Sequence, residues 1–420
     1  MRKNKKKKWL YFAITLVVTL LIGTIGLVIY SGYQKKPAQA TADTVVVEEI
    51  ATDVAEETVE ETVAETAEGT EVPEDAVPDE ESENSGDETS NEQRADESQE
   101  PGTVTLTFGG DICFHDEYAN MYALSTRGGS IESCIAQELL GEMRQSDICM
   151  VNNEFPYSNR GTPLPEKAFT FRSKPENVKL LHEMGVDIVS LANNHAYDHG
   201  EEALLDTLDI LESAGVKYVG AGRNLSEASE AEVFELNGVR VGILATTQIE
   251  RLDTPDTKGA TETGAGVLRC FNQTELDHFL NLVTETKKDC DILVVYIHWG
   301  TENTDELDWA QPYQADLISK AGADLIVGAH PHCLQGLDSV NGVPVIYSLG
   351  NYWFNSKAMD TALLKVTVNK DSVQTVQMIP ARQQDCSTSV LMDSEKQRVL
   401  TYLQSLSENV TIDADGFVTW

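Results

Sequence analysis

The chain has 420 residues, with 69 Asp and Glu against 31 Lys and Arg, and a formal net charge of −38. A field of that sign excludes non-specific binding to nucleic acid, which requires a positive one. The length suits a membrane anchor followed by one large domain or two ordinary ones.

Residues 1–8 are basic, with Arg2, Lys3 and Lys5 to Lys8 ahead of an uncharged run from Trp9 to Tyr30. As a helix rising about 1.5 Å per residue, that run is about 33 Å long and matches one bilayer crossing. Only Lys35 and Lys36 follow closely. The asymmetry predicts a single-pass signal-anchor at 9–30 in the cell membrane, with the N-terminus cytoplasmic and the remainder extracellular. A cleaved signal peptide is the alternative, but its apolar region would be shorter and end at small residues. Between Pro37 and Pro101 lie 23 Asp and Glu, one Arg94 and no aromatic residue. Such a composition cannot bury a core, so residues 31–102 are predicted to be a disordered, self-repelling acidic linker.

The remaining residues, 103–420, alternate short β-rich runs with amphipathic stretches, an α/β rhythm. Strands are predicted at Val104 to Gly110, Ile148 to Asn152 and Asp187 to Ala192, and helices near Ile131 to Arg144, Pro175 to Met184 and Glu201 to Ala214. Asn237-Gly238 marks a hairpin within Glu232 to Thr246. Then follow a helix near Glu275 to Lys288, a strand at Asp291 to Ile297, a helix near Pro312 to Ala321 and a strand at Asp324 to Val327. A second hairpin at Asn341-Gly342 precedes strands near Val345 to Ser348, Ala362 to Val368 and Val373 to Ile379, and a last helix near Ser394 to Ser407. The mixture predicts two packed sheets flanked by helices. Seven cysteines show no paired spacing. They read mostly as small core residues, and their odd number leaves at least one outside any intramolecular disulfide.

Five apolar runs end in candidate metal ligands or proton donors: Asp111; Glu154, reached through Asn152 and Asn153; Asn194 and His195; His298; His330 and His332. Ligands in α/β sheets sit beyond the carboxyl ends of strands, where these residues fall. In an extended backbone held by Pro331, the rings of His330 and His332 would point to the same side and form half of a transition-metal site. His182 and His278 in helices and His199 in a loop read as structural, and His115 stands near Asp111. Arg172 offers a cation to anchor an anionic substrate, and Glu302 lies just beyond His298.

In order, Gly110-Asp111, Asn152-Asn153-Glu154, Asn194-His195-x-x-Asp198-x-Gly200, His298-Trp299-Gly300-x-Glu302, His330-Pro331-His332-x-x-Gln335 and Tyr347 to Asn351 resemble the CapA capsule-synthesis family, the poly-γ-glutamate synthesis accessory proteins. The resemblance runs from about Val104 to Ile379 and extends to the calcineurin-like metallophosphoesterases. It implies a two-sheet αββα sandwich at 103–420 holding two divalent metal ions, with manganese, zinc and iron not distinguished. Asp111 and Glu154 would be acidic ligands, one of them bridging. Asn194, His298 and His330 would bind one ion, Asp111 and His332 the other, and His195 would be the general acid. Cys113 departs from the pattern, standing where such phosphoesterases carry histidine.

The implied activity is that of a metal-dependent hydrolase or transferase acting on a phosphoester or a γ-glutamyl-type bond of an anionic polymer. Two ions about 4 Å apart would activate a bridging water while His195 protonates the leaving group. The alternative is a non-catalytic accessory subunit in a polymer synthesis and export complex. Its partners would be the bilayer and polymer-synthase membrane subunits.

Overall fold

The computed structural model describes residues 102–250 and 257–420. The basic N-terminus, the expected membrane helix at 9–30 and all but the last residue of the expected linker lie outside the described residues. Among the described residues, no helix is long and apolar enough to cross a membrane.

The central strands are apolar on both faces, and alternate residues enter different cores. In Ile148–Asn153, Ile148 and Met150 join one cluster while Cys149 and Val151 join another. In Ile292–His298, Ile292, Val294 and Tyr296 join that same first cluster, while Leu293, Val295 and Ile297 join a third. A period of two with both faces buried marks parallel strands covered on each side. The shared cluster therefore lies between two sheets.

Among the described residues the larger sheet has ten strands. Its main path runs Thr411–Ile412, Phe417–Thr419, Val373–Gln384, Met359–Asn369, Thr103–Ile112, Ile148–Asn153, Ile188–Ser190 and Lys217–Val219, and its last four strands are parallel. The smaller sheet runs Leu337–Val340, Val343–Ile346, Leu325–Ala329, Ile292–His298, Val239–Thr247 and Glu232–Leu236. Helices Gln137–Gln145, Lys179–Met184 and Glu201–Ala214 pack on the larger sheet through residues such as Leu140, Leu181 and Leu208. Gln273–Thr286 and Ala310–Ala321 pack on the smaller one through Phe279, Val283 and Ile318. The mixed α/β class read from the sequence is thus observed.

Both predicted hairpins form, with φ of 51° and 80° at Asn237 and Gly238 and 54° and 83° at Asn341 and Gly342. Left-handed conformation at both central residues matches the strand twist. The helix expected over 131–144 instead breaks into Ile131–Ser133 and Gln137–Gln145, because the Ala136 N–H leaves the helix to donate to Thr388 O. Ala119–Thr126 is helical without an amphipathic stripe to reveal it, and is held by Asn120 donating to Cys113 O at 2.8 Å.

One irregularity aims the site. From Phe108 to Asp111 the first strand advances three residues while its neighbour advances two, from Met150 to Asn152. This bulge at Gly109-Gly110 turns Asp111 onto the inter-sheet face, where plain alternation would send it toward the helices. Tyr296 of the smaller sheet donates its hydroxyl to Gly109 O at 3.2 Å. A Cβ on Gly110 would stand 1.9 Å from Gly350 O, the acceptor of the Asp111 N–H at 3.0 Å. Gly110→Ala is therefore expected to destabilise by about 3 kcal/mol, read as a lower denaturant midpoint at unchanged slope.

Candidate metal centre

The strand ends converge as the sequence predicts. Asp111 lies in register between Asn152 and Asn351 on the strands either side. His298 closes its strand opposite Ala329, just before His330. Two groups of donor atoms result, Glu154 with His298 and His330, and Asp111 with Glu154 and His332. Glu154 belongs to both.

Glu154 is fully buried, and its Oε1 has no hydrogen-bond partner. Around that oxygen stand Nε2 of His298 at 3.7 Å, of His332 at 3.8 Å and of His195 at 3.9 Å. A buried carboxylate oxygen without a partner is costly unless a cation compensates it. The mixed imidazole and carboxylate set around it suits a divalent transition ion. Asn194 Oδ1 and His330 Nδ1 meet His298 Nε2 at 2.9 and 3.0 Å, so three neutral donors converge on one point. His332 Nδ1 faces Asn351 Oδ1 at 2.9 Å and Asp111 Oδ2 at 3.2 Å, which leaves its Nε2 turned to Glu154.

Charge in the centre is shared rather than local. Burial lifts the Glu154 carboxyl well above its usual range against the pull of His332, and Asp111 and Glu302 add to the rise. Burial opposes a charge on His332, yet Glu154 and Asp111 outweigh it and raise its pKa to about 10. Burial and neighbouring imidazoles hold His298 and His330 well below the usual value, so both are neutral and ready to donate nitrogen lone pairs.

His195 stands apart. Its Nδ1 meets Asp198 Oδ2 at 2.7 Å and its ring stacks on Phe171 with centroids 4.2 Å apart. Burial lowers its pKa despite Asp198. Burial alone would raise Asp198, but His195 and Lys167 hold it below the usual carboxylate value, with Lys167 Nζ at 2.7 Å from Oδ1. Lys167 also donates to Asn194 O. A cavity of about 480 Å³, lined by Asn194, His195, His330, Lys167, Phe169 and Glu302 among others, opens on the centre.

Several sequence expectations need correction. His330 and His332 are not extended: their φ values are 96° and 58°. The chain turns sharply at the strand end, where Asn303 N–H holds Pro331 O at 2.8 Å. The two rings therefore serve different donor groups, at a backbone cost of about 1–3 kcal/mol per residue. Arg172 does not line the cavity; its guanidinium donates to Arg160 O at 3.1 Å, and Lys167 is the cation found there. Glu302 does line it, exposed. Cys113 is buried in the core beneath the helices, its thiol pKa pushed well up by burial, and joins neither donor group. His115 pairs with the Arg172 backbone at 3.1 Å, and His182, His199 and His278 also lie outside both groups. All seven cysteines are free, six of them buried.

The sequence reading gave no role to the amides that brace these donors. Asn152 Nδ2 donates to Asp111 Oδ1 at 2.7 Å and Glu154 Oε2 at 3.2 Å, and Asn193 Nδ2 donates to Asn152 Oδ1 at 3.0 Å. Position was the available signal, since Asn152 follows Met150 in phase on the inter-sheet face. Asn152→Ala is expected to lower stability by about 2 kcal/mol and divalent-ion affinity about 10–100-fold, measured by denaturation and calorimetric titration.

The chain is similar in sequence to several known proteins. PGA biosynthesis protein CapA of Bacillus subtilis (strain 168) is 32% identical over 265 residues, covering 61% of this chain and 67% of that protein. Capsule biosynthesis protein CapA of Bacillus anthracis is 30% identical over 314 residues, covering 71% and 73%. A probable polyglutamine synthesis accessory protein of Mycobacterium tuberculosis is 28% identical over 213 residues, covering 50% and 56%. Residues 105–356 match the profile of the bacterial capsule synthesis protein PGA_cap. They include both donor groups and the His195–Asp198 pair, and the chain belongs to that CapA family, a metallophosphoesterase-like one.

Proposed function

We propose that this chain is a membrane-anchored, extracytoplasmic protein of capsule or poly-γ-glutamate biosynthesis. In this reading it is a hydrolase or transferase that acts with two divalent ions on a phosphoester or γ-glutamyl-type bond. Glu154 carries the reading: a buried carboxylate shared by two donor groups, with one oxygen left for a cation. Glu154 would be shared by the two ions, Asn194, His298 and His330 would hold one, and Asp111 and His332 would hold the other. Bound ions supply Lewis-acid stabilisation of charge developing at the attacked centre.

The chain's own residues do the rest. Asp198 accepts the Nδ1–H of His195 and aims Nε2 at the centre, from which the ring, once protonated on both nitrogens, gives the Nε2 proton to the leaving group. Phe171 holds the ring in place, and Lys167 keeps Asp198 anionic. The uncharged run Trp9–Tyr30 behind six basic residues supports a single-pass anchor with the N-terminus inside. The bilayer and polymer-synthase membrane subunits are the partners in this reading.

A non-catalytic accessory role is the second reading. It is favoured by Cys113, which lies in the core and leaves the Asp111 group one nitrogen poorer than the resembled phosphoesterases. Metal analysis of the full chain, paired with hydrolysis assays on aryl phosphodiesters and poly-γ-glutamate, separates the two. About two bound ions with turnover are expected. Bound ions without turnover favour the accessory role, and failure to bind added manganese or zinc sinks the metal centre itself.

A further inference from the structure

The cavity beside the centre carries a charge pattern that the metal chemistry does not use. Of its described charged lining residues, Lys167 is neutralised by Asp198 at 2.7 Å and Glu250 by Arg269 at 2.6 Å. The other two are both acids. Asp308 Oδ1 accepts from the backbone N–H groups of Ala310 and Gln311 at 2.8 and 3.1 Å, which leaves its charge in place. Glu302 is exposed and makes no ion pair among the described residues, and it lies outside both donor groups. Much of the remaining wall is apolar or aromatic, with Ala168, Ile249, Phe271 and Phe169, the last 67% exposed.

We propose that this cavity binds an organic ammonium: an amine on an apolar stem, its charge at Glu302 and its stem against Phe169 and Phe271. A carboxylate attracts such a head group, and aromatic faces attract cations further. An anionic group in the same position would be repelled by the Glu302 carboxylate. The assignment rests on the reading of the centre as a reaction site, since Asn194, His195 and His330 line the same cavity. It makes the amine-bearing part of the substrate or product the part held beside His195.

Calorimetric titration of the full chain in detergent with 2-phenylethylammonium and with its neutral counterpart 2-phenylethanol tests this without reading turnover. The ammonium is expected to bind about tenfold more tightly at pH 7. Glu302→Gln should remove most of that preference and Glu302→Lys should invert it. Equal or tighter binding of the alcohol, binding of neither probe, or a preference unchanged in Glu302→Gln overturns the proposal. Failure of the hydrolase reading would show separately, in the metal and hydrolysis assays.

Discussion

Replacing Glu154 with Gln is expected to abolish the rise in thermal stability that divalent ions confer, while the ion-free variant melts at or above the parent temperature. The opposite signs follow from one atom. Without an ion, Oε1 is buried and has no hydrogen-bond partner, so its charge is a liability that burial already pushes toward protonation. An uncharged amide of the same shape removes that liability and can still accept from Asn152 at the Oε2 position. With ions, the same substitution removes the only anion common to both donor groups. Ion affinity should then fall about a hundredfold or more, beyond the effect of losing a bracing amide. Melting curves with and without manganese or zinc, beside calorimetric titration, read both effects. A variant that keeps the full ion-induced shift would remove Glu154 from the centre.

The second large effect is expected at His195. His195→Ala should reduce kcat about 10²–10⁴-fold while the bound-ion content stays at the parent level, because Asn194 rather than His195 converges with His298 and His330. Asp198→Asn keeps the packing but releases the tautomer, so it should lose most of the same activity. Turnover assays and metal analysis on the same preparations give the two readouts. If His195→Ala lost its ions as well, His195 would be a ligand. If the wild type shows no turnover and cells carrying His195→Ala make polymer normally, the accessory role stands.

The α/β rhythm was legible because its signals are local. Runs such as Ile292 to Ile297 are apolar at every position, and Asn-Gly pairs mark both hairpins. Donor identities were legible too, since an acid or histidine at the end of an apolar run has few structural uses. What escaped depends on partners distant in sequence. No local pattern shows that Gly109-Gly110 adds a residue to the strand and so changes the face on which Asp111 emerges. The same holds for Asn152, whose role requires Asp111 and Asn193 around it. Pro331 suggested an extended segment, but the chain takes left-handed turns at His330 and His332, with the Asn303 N–H holding Pro331 O. Arg172 was the more visible cation, yet Lys167 is the one that reaches Asp198.

The donors come from both layers of the fold. Asp111, Glu154 and Asn194 lie in or beyond strands of the larger sheet, and His298 and His330 at or beyond the ends of strands of the smaller. Ions held by these two groups would rivet the layers together, and their affinity would gauge the alignment of the sheets. Tyr296, which hangs from one sheet and touches the bulge of the other at Gly109, helps to set that alignment. Close-packed interiors transmit small displacements rather than absorbing them. Slippage caused deep in the shared core would therefore register at the rivet first, as weakened ion retention in a protein still fully folded.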